Sequence, residues 1–236
     1  SLIQEPKPFF VGERNNTSGS RDFKNALLSE DWDSAVQIAL SQEETGAHGI
    51  DLCVAYAGRN EKEDMKKAVE TFSTRISAPL FFDSTNPSVL EEGLKRYGGR
   101  GVINSINLED GEEKAREVLA LAARYGAAVI ALTIDEKGMA KERENKLAIA
   151  KRLAQIAFDE YGLPQGSLII DPLTFTLGSG DSEIRDSARQ TLLAIGDIKK
   201  EIPGALTVLG VSNVSFGLSP EAREVLTSVF LKEAAE

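Results

Sequence analysis

The feature that most constrains this chain is an alternation. Short apolar runs are each followed by a segment of 3.6-residue periodicity, seven times over in 236 residues. Runs at 8–13, 49–56, 78–83, 101–106, 127–134, 166–173 and 205–212 read as strands. Helices are expected over 31–46, 62–76, 87–98, 111–126, 141–162, 182–202 and 220–236, with residues 14–30 left as a loop. Asp31 suits an N-cap, Gly46 a helix stop, and Pro87 a first helical position. Strands that are nearly all apolar belong to a parallel sheet covered by helices.

Two closures compete, an open doubly wound sheet and a closed barrel. No G-x-G-x-x-G follows the first strand, where a nucleotide-binding open sheet would want one. The unbroken repetition favours an α/β fold of the TIM type, a (β/α)8 barrel, as one domain over residues 1–236. A closed barrel needs eight strands. Either the chain stops before the last one, as a module of a longer protein, or the unit count is one short.

Barrels of this kind do their chemistry at the C-terminal ends of the strands. Each of the seven ends here offers a carboxylate or a carboxamide: Glu13 with Asn15 and Asn16 after it, Asp51, Asp83, Asn104, Asp135, Asp171 and Asn213. No Lys or His stands at a tip, and only Arg14 and Arg223 lie close in sequence. Each of these residues could be only a helix cap or a turn residue. As a set, buried acids are costly unless donors face them, so a ligand rich in N–H groups is expected. A carboxylate takes two parallel N–H bonds from a 2-aminopyrimidinone edge, and a carboxamide serves a ring carbonyl beside an N–H. Magnesium on the carboxylates is the competing chemistry.

Other classes fall away on composition. A formal charge of −10 speaks against nucleic-acid and anionic-membrane partners. The basic residues between Lys141 and Arg152 alternate with acids and read as a solvated helix face. With one His, one Cys and two Met, a protein-built zinc, haem or iron–sulfur site is not expected, and His48 reads as structural. A single Cys53 and the lack of a signal-peptide layout point to the cytoplasm, where the N-x-S/T triplets at Asn15, Asn16 and Asn213 carry no glycan. No apolar run reaches the roughly 18–20 residues of a membrane helix.

VGERNNTSGS (11–20), FFDSTNPSVLEEGL (81–94), GVINSINLEDGEEK (101–114), ALTIDEKGMAKERENKL (131–147), IIDPLTF (169–175) and LGVSNVSFGL (209–218) occur in that order. Together they resemble the family of pterin-binding domains of cobalamin-dependent methionine synthases and of methyltetrahydrofolate–corrinoid methyltransferases. The resemblance implies a (β/α)8 barrel that binds 5-methyltetrahydrofolate and passes its N5 methyl to cob(I)alamin, with the cobalamin supplied by another domain or a corrinoid protein and no metal bound by this chain. It further implies that Asp83, Asn104 and Asp171 hold the pterin, that Asn213 addresses N5, with Asp171 beside it in catalysis, and that Glu13, Asn16, Asp51, Asp135 and Arg223 line the pocket. Two departures stand out. Asn15 occupies a position where the family often has Thr or Ile, and Cys53 one where it often has Asn, so a polar contact is expected to be lost there. Dihydropteroate synthase is similar in fold and pterin edge, but its last strands carry basic residues where this chain reads GVSNVSFGL. A folate-binding module without catalysis and a metal-dependent aldolase-type barrel are the other readings.

Overall fold

The computed structural model describes residues 2, 4–179 and 186–236. The chain is an α/β fold with a seven-stranded parallel sheet of order β1-β2-β3-β4-β5-β8-β9 and a separate hairpin, β6-β7. In chain order the elements are β1 (Val11–Asn16), α1 (Arg21–Leu28), α2 (Trp32–Glu44), β2 (Gly49–Cys53), α3 (Glu61–Phe72), β3 (Leu80–Asp83), α4 (Pro87–Arg96), β4 (Val102–Ile106), α5 (Glu113–Tyr125) and β5 (Ala128–Leu132). There follow β6 (Ile134–Asp135), β7 (Gly138–Met139), α6 (Arg143–Ala154), a π-helical turn (Gln155–Glu160), β8 (Leu168–Asp171), α7 (Ser187–Glu201), β9 (Leu206–Thr207) and α8 (Pro220–Ala235). Two compact units divide the chain: residues 1–105 with 120–129, and residues 106–119 with 130–236.

In the first unit β1, β2, β3 and β4 pair in parallel in that order. Every residue of β2 is buried, as a strand covered on both faces requires. Phe23, Leu27, Leu52, Met65, Phe72 and Phe82 are all fully buried in its core. In the second unit β8 pairs with β9, and Ile149, Leu153, Leu168, Ile170 and Ile198 form the core.

Several expectations need correction. β1 does not end at Glu13; it runs on through Asn16, with a bulge between Gly12 and Asn15, because Asn15 and Asn16 pair with Leu52 and Cys53. The expected loop holds an extra helix, α1, capped by Ser20, whose Oγ accepts from the Phe23 amide at 3.2 Å. The fifth run breaks after Leu132, and Asp135 falls in the β6-β7 hairpin instead of at a sheet-strand tip. The seventh run supplies only the two residues of β9; beyond it Val211–Ser215 forms a 3-10 helix. The first residues of the helix expected over 182–202 lie outside the described residues; the described part is α7.

Candidate functional site

The ends of β1 to β4 gather one polar group within the first unit. Asp83 and Asn104 are direct register partners on neighbouring strands, and Asp51 stands on β2 beside them. The bulge in β1 turns the Asn16 side chain toward these acids. Its Nδ2 donates to Asp51 Oδ2 at 3.2 Å and to Asp83 Oδ2 at 3.0 Å, while its Oδ1 accepts from the Ser18 amide at 2.9 Å. Asn104 Nδ2 donates to Asp51 Oδ1 at 3.1 Å. Two carboxylates therefore share one amide group, and Asp51 accepts a hydrogen bond on each oxygen.

The sequence argument expected a ligand to satisfy the buried acids. In part the protein does this itself, through Asn16 and Asn104. The demand that remains is visible in the acids' proton affinity. Asp51, only 4 % exposed, is pushed up to about 7 by burial and then by the charge of Asp83, against the opposing bonds from the two asparagines. Asp83 is raised by burial, and Glu13 by burial and by Asp83. A polar contact was expected to be lost at Cys53, yet its thiol acts on Asp83 in the lowering direction. Its own proton affinity rises to about 11, through burial first and the Asp83 charge second. Among the described residues no group of three or more His, Cys, Asp or Glu is placed to hold a metal ion.

Asn15 does not join this group. Its side chain is fully buried, donating to the Ala35 carbonyl at 2.9 Å and accepting from Gln42 Nε2 at 2.7 Å. Gln42 also accepts from the Arg14 amide at 2.7 Å, so one helix glutamine braces the bulge. His48 is structural: Nδ1 accepts from the Phe10 amide at 3.0 Å, and its ring lies against Phe9 and Phe10.

Within the second unit the sequence-read residues are Asp135, Asp171, Asn213 and Arg223. Asp171 ends β8, and its Oδ1 accepts from the Leu173 amide at 2.8 Å. Burial raises it to about 6, against that bond and the nearby charge of Lys146. Asp135 closes its own hairpin, accepting from the Lys137 amide at 2.9 Å. Asn213 is exposed on the 3-10 helix, with its amide lying on Gly210, where an added Cβ would meet Nδ2 at 2.7 Å. Arg223 is half-exposed in the first turn of α8.

The residue that sequence reasoning missed is Lys146. It lies inside the stretch read as a solvated face, yet it is 0 % exposed. Its position on α6 holds the signal: Ile149, Ala150 and Leu153 follow at helical spacings and are buried with it. Its ammonium donates to the carbonyls of Ala140 at 2.8 Å, of Pro172, and of Leu173 at 3.3 Å.

The chain is 44 % identical to methionine synthase of Mycobacterium tuberculosis, and equally to that of Mycobacterium leprae, across its whole length. It spans about one-fifth of the length of those relatives, 20 %. In fold it is similar to dihydropteroate synthase of Xanthomonas albilineans with 4-aminobenzoic acid, at a TM-score of 0.68, 15 % identity, and coverage of 99 % of this chain and 86 % of that one. The Yersinia pestis dihydropteroate synthase carrying a pterine-sulfa conjugate gives a TM-score of 0.64 at 17 % identity, covering 97 % and 84 %. The family described as pterin binding enzyme matches residues 12–236. The chain belongs to the pterin binding enzyme family.

Proposed function

We propose that this chain binds 5-methyltetrahydrofolate and transfers its N5 methyl group to cob(I)alamin, as one step of methionine synthesis. The observation that carries the reading is the Asp51–Asn16–Asp83 bridge with Asn104 beside it, an acceptor-rich edge whose acids remain hard to ionise without further donors. A pterin presents a ring N–H next to an exocyclic amino group, which is the donor pair one carboxylate accepts. Identity of 44 % to methionine synthases over the whole chain favours this substrate over that of the dihydropteroate synthases, whose likeness is one of fold. A (β/α)8 barrel belongs to the same proposal and is supported by that likeness in fold and by the sheet order. So does a cytoplasmic location, for which the lone free and buried cysteine speaks.

In this reading Asp83, Asn104 and Asp171 hold the pterin, Glu13, Asn16, Asp51, Asp135 and Arg223 line its pocket, and the Asn213 side-chain oxygen meets N5. Cob(I)alamin, brought by another domain or a corrinoid protein, supplies the nucleophile. The methyl group leaves with its bonding pair kept on N5, which must gain a proton to depart as an amine. Carboxylates around the ring favour positive charge there, Asn213 accepts the N5–H bond, and the fixed pterin presents one face for attack.

Calorimetry with 5-methyltetrahydrofolate, paired with loss of cob(I)alamin absorbance, tests both halves. Asn213→Ala is expected to keep measurable folate binding and to slow methyl transfer about tenfold or more. An unchanged rate would remove the role given to Asn213. Folate binding by the wild-type chain without any transfer would leave a binding module.

A further inference from the structure

The buried ammonium of Lys146 has no place in the scheme above. A lysine on the apolar face of a helix is costly, and a methionine would fill the same space without the desolvation penalty. Its three N–H donors are all used, on the carbonyls of Ala140, Pro172 and Leu173. Two of those three acceptors are the residues that directly follow Asp171.

The turn they belong to needs holding. Leu173 has φ of 60°, the left-handed region that a branched side chain avoids. Pro172 offers no amide, so the Leu173 amide is the donor that reaches back to Asp171 Oδ1, at 2.8 Å. From α7, Thr191 Oγ1 donates to the Leu173 carbonyl at 2.8 Å. The Lys146 ammonium stands 5.3 Å from the centre of the Phe175 ring, which closes over it. With Oδ1 engaged by the turn, Asp171 Oδ2 accepts from no donor among the described residues.

We propose that Lys146 is a positioning residue: by gripping the carbonyls of Pro172 and Leu173 it fixes the turn that aims Asp171 and leaves Oδ2 for an N–H donor of the ligand. The proposal rests on the folate reading of Asp171. Electrostatics agree, since Lys146 and Asp171 stabilise each other's charged forms although burial brings the lysine down to about 8.

The test is a double-mutant cycle on 5-methyltetrahydrofolate affinity, measured by calorimetry on folded variants. Lys146→Met is expected to weaken binding about tenfold or more in the wild-type chain. In an Asp171→Asn chain the same change should cost much less, because the group through which Lys146 acts is already altered. A lysine that only fills space would cost the same in both chains, and that equality overturns the proposal, as does undiminished affinity of Lys146→Met. If Lys146→Met does not fold, Thr191→Val releases the same carbonyl from α7. It must then weaken binding in the wild-type chain and not in the Asp171→Asn chain, or the proposal fails. A wild-type chain that does not bind the folate ends both readings, whereas wild-type binding with no coupling ends only this one.

Discussion

Asp51 shows how a single residue can oppose the stability of the fold that contains it. Its carboxyl holds a proton up to about 7, where an unfolded aspartate lets go near 3.8. Between those values the folded state binds more protons than the unfolded one, so stability from this group falls as pH rises and the full penalty applies above about 7. Asp51→Asn is expected to stabilise the chain by about 1–3 kcal/mol at pH 8 and to make little difference near pH 4. Urea unfolding at the two pH values checks this, and an equal effect at both would count against it. Asp83 and Asp171 could be read from sequence because each closes an apolar strand before its helix begins. Lys146 could not be read in the same way. Its neighbours Lys141, Arg143, Glu144, Lys151 and Arg152 make a charged repeat, and only the helical phase of Ile149, Ala150 and Leu153 betrays its burial.

At the scale of elements, β1 is the strand whose geometry most depends on a neighbour. The bulge between Gly12 and Asn15 is braced by Gln42 of α2, and it turns Asn16 onto the acids. Gly12 leaves no room for a side chain there, since an added Cβ would meet Gln42 Oε1 at 2.5 Å and Cδ at 3.0 Å. Gly12→Ala should therefore displace Gln42 and cost about 1–3 kcal/mol in chemical denaturation. It should also lower folate affinity by loosening Asn16; intact affinity would separate the bulge from the site. None of this was legible in VGERNN, because a bulge is set by pairing register and by a buried glutamine far along the chain. The setting of Asn213 was hidden for a related reason. Its run looks like a strand, but the amide folds onto Gly210 and the backbone turns into a 3-10 helix.

Across the whole molecule the repeated order of strand and helix was the readable part. Seven apolar runs became the seven strands of one sheet, while α1 and the β6-β7 hairpin had no periodic signature long enough to be seen. One side chain in that sheet has a kinetic consequence. Cys53 is the chain's single thiol, 8 % exposed on β2, and it keeps its proton up to about 11. Thiolate is the form that alkylates, so labelling at neutral pH waits for β2 to come free of its neighbours and for the thiol to return to its ordinary acidity. The rate of maleimide capture is then a stopwatch for rupture of the sheet beneath Asp51 and Asp83. Bound 5-methyltetrahydrofolate should slow it in proportion to occupancy, so the native thiol reports on the sheet without an engineered cysteine.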